Sequence, residues 1–444
     1  MKQSSWSILA LPGLLGCGAF DVPFACNTDD RCVRRHVAGT CEPTGSCSFP
    51  DSACPSRRRY ADLAPDQLRN QCVPAPAHLA LGEGQSCAVL FGGGLRCWGS
   101  APKTEPDAVR SLGSSTDNMV VFELPSVSNV DLAQEYGCAV ADGRVWCWGD
   151  NDHGQLGIDD DSSLGPHRVP AATRSGAAES VATGRRHSCV LERGRVRCWG
   201  DNEKGQLGRP NHTDALPPAS AASALEDVVQ LHAGESHTCA QPAWGVLNCW
   251  GSNEFGQVAA PLEVPVSDEP HELSFYALEF SLGGSHTCAI NTSGEVLCWG
   301  NNKLGQLGRQ PDPDRSPETQ LSPTPLRVAK DGKADDWMKA THIACGWAHS
   351  CAILDDGTVA CWGDNSGGQL GPEATGKAGV STPVVVELRG RAVEISAGFT
   401  HTCARTEDGL TWCWGGNDRG QLGNGSVEDS ALPDARVSAS LATP

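Results

Sequence analysis

Fourteen of the chain's 22 cysteines fall into pairs nine or ten residues apart, and the second member of every pair opens a Cys-Trp-Gly triplet. The pairs are Cys87 with Cys97, Cys138 with Cys147, Cys189 with Cys198, Cys239 with Cys249, Cys288 with Cys298, Cys351 with Cys361, and Cys403 with Cys413. Two chemistries suit paired thiols, a disulfide and a zinc site. Zinc calls for four ligands at short spacings, whereas each pair offers two. The spacing itself favours the disulfide. At nine residues the midpoint falls between Asp142 and Gly143 or between Arg193 and Gly194, where a two-residue primed turn sets the cysteines directly opposite each other. At ten residues a three-residue loop is needed, and a glycine stands at its third position (Gly93, Gly245, Gly294, Gly357, Gly409), where the backbone must turn left-handed. Loop length and cysteine spacing change together, so each pair is expected to be a cross-strand disulfide on a β-hairpin.

Other reactive side chains are repeated as well. A histidine stands two residues before the first cysteine in five copies (His187, His237, His286, His349, His401), with Gln85 and Tyr136 in the other two. A ring of imidazoles suggests metal, but a residue repeated once per unit reads better as a hydrogen-bonding element of that unit. The seven tryptophans read as core. Cys345 is left unpaired at a position where other copies carry small residues, and is expected to be a buried, unreactive thiol. Gly-Gln-Leu-Gly carries no following Lys-Ser or Lys-Thr and is no phosphate loop. No catalytic group, cofactor site or metal site is assigned.

These residues must be positioned by a repeating architecture. Successive first cysteines are 51, 51, 50, 49, 63 and 52 residues apart, room for four short strands per copy. Gly is abundant (51 residues), Met scarce (3), and no helix-period stripe runs for long, so the chain is expected to be all-β. Seven four-stranded copies imply a closed seven-bladed β-propeller over residues 74–444. The first copy shows no strand ahead of its hairpin, so the C-terminal stretch 432–438 is expected to complete the first blade and lock the ring.

The pattern G-x-x-H-T-C-A-x-x-x-x-G-x-V-x-C-W-G-x-N-x-x-G-Q-L-G resembles the repeat of the regulator of chromosome condensation family, over residues 77–444. Five copies carry the full Gly-Gln-Leu-Gly, the fourth reads Gly256-Gln257-Val258, and the first lacks it. The resemblance implies a seven-bladed propeller, and by analogy with the best-known member it suggests guanine-nucleotide exchange on a small GTPase.

The remainder of the chain opposes that activity. Residues 1–17 pair one lysine with a short apolar run ending Leu14-Leu15-Gly16-Cys17, which resembles the lipobox of bacterial lipoproteins, with Cys17 the lipidated residue. An exported, lipid-anchored chain meets the oxidising conditions that disulfides need. Residues 18–73 carry six more cysteines among Pro, Gly and Asp and are expected to form a small disulfide-stapled module or spacer. A net charge of −19 argues against nucleic acid. What remains is a monomeric scaffold that binds a protein or a surface glycan where the repeats differ. The candidate contacts are Trp244 and, within the 309–341 insertion, Asp312, Asp314, Arg315, Trp337 and Lys339. An extracellular hydrolase or lyase is the third reading, and no carboxylate pair or Ser-His set stands out to support it.

Overall fold

A computed structural model describes residues 76–90, 93–100, 124, 126–158, 177–210, 225–243, 246–310, 320–330 and 336–436. It also gives the backbone of short strands at 33–34, 37–38, 40–41, 47–50, 58–60, 109–112, 119–122 and 167–168. The chain divides into two units, one of residues 1–75 with 439–444 and one of residues 76–438. In the first, the strands Thr40–Cys41, Cys47–Pro50 and Arg58–Tyr60 form an antiparallel sheet. Cys17 and the residues around it lie outside the described residues.

The second unit is an all-β propeller built of disulfide-bonded blades. Each hairpin pairs its two cysteines in direct register, for example Cys189 with Cys198 and Cys351 with Cys361. All seven pairs are joined, with Cα atoms 4.0–4.1 Å apart. The turns carry the backbone that this register requires. Asp142 and Gly143 (φ 53° and 68°) and Arg193 and Gly194 (φ 52° and 70°) make the two-residue turns with both central residues left-handed. Gly93, Gly294, Gly357 and Gly409 occupy the left-handed position of the three-residue loops; Gly245 lies outside the described residues.

An inner strand precedes each hairpin and pairs with its first strand, as Ala392–Ala397 does with His401–Thr406. The first copy departs from expectation here. Its inner strand is Pro76–Leu81, paired with Gln85–Leu90, and the C-terminal strand Ser430–Arg436 pairs with Thr411–Gly415 of the seventh copy. The proline that heads 76–81 disguised it, yet proline is tolerated at the first residue of a strand. The fourth and fifth copies share one 17-residue strand, Val266–Leu282, whose start is the outer strand of one sheet and whose end is the inner strand of the next.

What joins the blades is a repeated side-chain clasp. His187, His237, His286, His349 and His401 are fully buried, and each Nε2 lies 2.9–3.0 Å from a Ser or Thr hydroxyl of the following copy: Thr238, Thr287, Ser350, Thr402 and, for the seventh copy, Ser86 of the first. Each of these hydroxyls gives its proton to the main-chain oxygen of the Gly-Gln glutamine, as Thr238 does to Gln206, Thr287 to Gln257 and Ser86 to Gln421. The hydroxyl therefore accepts from the imidazole, which fixes the Nε2–H tautomer. The same glutamine oxygen accepts the indole N–H of the next tryptophan, 2.9 Å for Trp250 on Gln206 and for Trp98 on Gln421. Tyr136 replaces histidine by reaching Ser188 at 3.1 Å, and Gln85 does so by accepting from Trp148. These bonds run from copy to copy and from the seventh back to the first.

Candidate functional site

The clasp accounts for the residues that are repeated, so the site must be sought where the copies differ. The inner strands of all seven copies surround a cavity of about 680 Å³. An inner strand has a free backbone edge, and here that edge is met by side chains from the preceding copy. Glu394 Oε1 accepts from Leu79 N–H (2.8 Å), Asn129 Oδ1 from Val181 N–H (2.9 Å), and Glu279 Oε1 from Ile343 N–H (3.0 Å). Two residues further along, Asp131 takes the N–H and hydroxyl of Thr183, and Ser281 takes the N–H of Cys345.

The charges in this wall are unevenly compensated. Burial would raise Glu394, but bonds from His78 and Arg405 outweigh it and hold the carboxyl down at about 2. Glu394 in turn raises His78 against the effect of burial. Asp131 receives only neutral hydrogen bonds, and burial pushes it up to about 6. Glu279 is raised for the same reason, against the Ile343 bond. His232, edge-on to Phe280 at 4.9 Å, is pushed down to about 4.

At one mouth of the cavity, immediately after the glycine or alanine that ends each inner strand, stand Glu83, Gln134, Arg185, Glu235, Gly284, Trp347 and Phe399. Trp347 and Phe399 stack with ring centroids 4.7 Å apart and planes at 19°, and Trp347 is 42% exposed. Gly284 leaves the room this needs, because a Cβ there would lie 2.7 Å from the indole. Across the mouth Arg185 bridges Glu235 at 2.6 Å and donates to Gln134 at 3.0 Å.

The insertion residues are placed elsewhere. Val328 and Met338 pair with the fifth hairpin, with Met338 N–H bonded to the Val328 carbonyl and Val296 N–H to that of Met338. Trp337 is half-buried and lies within cation–π distance of two guanidinium groups of its own chain, Arg309 at 5.9 Å and Arg327 at 5.7 Å. Lys339 is exposed and bridges Glu295 through the backbone. Trp244, Asp312, Asp314 and Arg315 lie outside the described residues. Cys345 is a buried free thiol raised to about 12 by burial. It approaches His286 and Cys288, but the Cys288 sulfur is held by Cys298 and His286 donates to Ser350, so the trio is no metal site. Sequence reasoning missed the mouth residues. The signal was there: the column after the repeated small residue reads Glu, Gln, Arg, Glu, Gly, Trp, Phe, while the small residue just before it is glycine in six copies and alanine in one.

Comparison with known proteins agrees with this architecture. The chain is 28% identical over 386 residues to the ultraviolet-B receptor UVR8 of Arabidopsis thaliana, covering 84% of each protein. Prp20p of Saccharomyces cerevisiae superposes with a TM-score of 0.64 at 21% identity, over 82% of this chain and 87% of that one. Human WBSCR16 gives 0.63 at 23% identity, over 77% and 92%. Residues 134–441 match the RCC1-like domain, and the chain belongs to that family.

Proposed function

We propose that the chain is a closed ring of seven disulfide-stapled blades, exported and lipid-anchored through Cys17, that serves as a non-enzymatic scaffold for a partner protein. The partner docks on the face that carries Trp347 and Phe399. The observation behind this reading is the stacked aromatic pair at the cavity mouth, with Trp347 exposed, and the Arg185–Glu235 ion pair across the mouth from it. Exposed aromatics and arginine on one face are the composition of binding hot spots. The clasp from His401 to Ser86 supports closure of the ring. Among similar structures, yeast RCC1 (Prp20) is found bound to Kap60, and Prp20p has been studied for its binding to Gsp1p and histones. A protein partner is in keeping with those. Nucleotide exchange is disfavoured, since seven buried disulfides suit an oxidising compartment and not a reducing one.

The deciding experiment is affinity capture from the producing cell's envelope and medium, with the whole oxidised protein and its Trp347→Ala variant as baits. A saturable protein partner lost with Trp347 supports the reading. Equal capture by both baits rejects this face, and capture of glycan alone replaces the protein partner with a sugar. Membrane fractionation of Cys17→Ser tests the anchor, which is wrong if the variant stays with the membrane.

A further inference from the structure

We propose that the cavity enclosed by the seven inner strands binds a slender organic cation, an aliphatic chain carrying two or more ammonium groups. The ligand stands apart from the protein partner, since it fills the cavity and not the face. Size comes first. At about 680 Å³ the cavity is in the range of small-molecule sites, and its lining joins apolar side chains to a few convergent polar ones.

Charge then selects the ligand class. Among the described residues the lining holds five carboxylates (Glu83, Asp131, Glu235, Glu279, Glu394) and one guanidinium, Arg185. Three of the five are paired with arginine: Glu83 with Arg419, Glu235 with Arg185, and Glu394 with Arg405. Asp131 and Glu279 have only neutral donors, namely Thr183 and the Ile343 N–H. The facing groups able to take up positive charge are the imidazoles His78 and His342. Burial raises both carboxyls, as expected of negative charge held without a counter-ion. A neutral sugar leaves that charge unpaired, whereas ammonium groups neutralise it with charge-assisted hydrogen bonds.

Spacing and the mouth narrow the shape. Counted from the column that follows the inner strands, Asp131 stands three positions back and Glu279 five, an offset of two residues along the strand. The two carboxylates are thus staggered by about 7 Å along the cavity, on the second and fifth inner strands. A linear chain with amines a few methylenes apart matches that stagger. Trp347, with one face on Phe399 and much of its surface open, offers the entering ammonium a cation–π surface.

The test is calorimetric titration of the full-length oxidised protein with spermidine, with 1,4-butanediol as the neutral control and Mg²⁺ as the control for charge alone. The expected result is one saturable spermidine site per chain, with neither control competing. Glu279→Gln and Asp131→Asn each weaken binding tenfold or more. Both variants keep an amide oxygen for the Ile343 and Thr183 donors, and an unchanged melting curve verifies their fold. A trilysine peptide distinguishes the source: tighter binding of free spermidine favours a small polyamine, tighter binding of the peptide favours a basic chain segment, and both share the proposed chemistry. Absence of a saturable site overturns the proposal. So does wild-type affinity in both variants, because that is the behaviour of a polycation bound diffusely to an acidic protein.

Discussion

His401 and Ser86, 315 residues apart in the chain, meet through Nε2 and Oγ at 2.9 Å in the same buried clasp that joins each copy from the third to the sixth to the copy after it. Removing the hydroxyl strands an imidazole N–H in a water-free site and takes one of two donors from the Gln421 oxygen. Ser86→Ala is therefore expected to cost about 1–3 kcal/mol. Thr238→Ala breaks the equivalent clasp in mid-chain, between the third and fourth copies. Denaturant midpoints for the two variants should fall by similar amounts. A silent Ser86→Ala beside a costly Thr238→Ala would show that the first and last blades separate without penalty.

The clasp histidines also predict how stability depends on pH. Burial pushes His187 down to about 4 and His237, His286, His349 and His401 to about 3, from an ordinary value near 6.5. Folded pKa values below the unfolded ones mean that the unfolded chain binds more protons between about pH 3 and pH 6.5. Stability is then full above pH 6.5 and is lost as the pH falls through that window. At pH 5 the five rings take up as many as about five protons on unfolding, a slope approaching ~7 kcal/mol per pH unit. Asp131, raised to about 6, offsets up to about one of them. Calorimetric unfolding at pH 5 in buffers of different ionisation heat measures this uptake. His237→Gln, which copies the residue found at Gln85, should lower it by about one proton, and no net uptake would refute the buried neutral ring.

Much of this scaffold could be read from the chain, for physical reasons. Hairpin register was legible because a turn's length fixes which residues face each other, and cysteines tolerate no other offset. The clasp was only half legible. The repetition of His237 and its counterparts pointed to structure, but their partner hydroxyls lie 50 to 64 residues away in sequence, and 315 for His401, and only packing brings them together. The cavity wall was invisible for a related reason. Asp131 and Glu279 stand on inner strands about 150 residues apart, and of the other copies only the seventh repeats either residue, with Glu394 at the register of Glu279. The surroundings of Trp337 were equally hidden, because the two arginines that meet it, Arg309 and Arg327, are 28 and 10 residues away in sequence.

The glycines that end the inner strands should be intolerant of any side chain. A Cβ at Gly283 would lie 2.2 Å from Cε1 of His286 and 2.5 Å from the Gly346 carbonyl oxygen. Neither can yield cheaply, since the imidazole is held by Ser350 and the carbonyl belongs to the next blade's backbone. Gly283→Ala is expected to destabilise by about 1–3 kcal/mol through overpacking. Gly294→Ala is the control, because its Cβ meets nothing within 4 Å and only its left-handed backbone (φ 78°) resists. Its cost should be about 1 kcal/mol. Equal midpoints for the two would mean that backbone conformation, and not the fit against His286, decides this position.

Reduction should separate kinetic from thermodynamic protection. The sulfurs of Cys239–Cys249 and Cys288–Cys298 belong to fully buried residues, so a thiolate reaches them only when a blade opens. Dithiothreitol is expected to leave them intact in native buffer and to reduce them as denaturant approaches the unfolding midpoint. Once a bridge is gone, its ten-residue loop regains chain entropy, which the loop-closure model puts at roughly 2–3 kcal/mol. Replacing Cys288 and Cys298 together by alanine should lower stability by about that amount, plus the cost of the lost sulfur packing. Timed thiol trapping with peptide mapping tests the first expectation, and denaturant titration of the double variant tests the second. Rapid native reduction of these two bridges would mean that the blades open far below the global unfolding barrier, and the scaffold would then be much more mobile than its buried sulfurs imply.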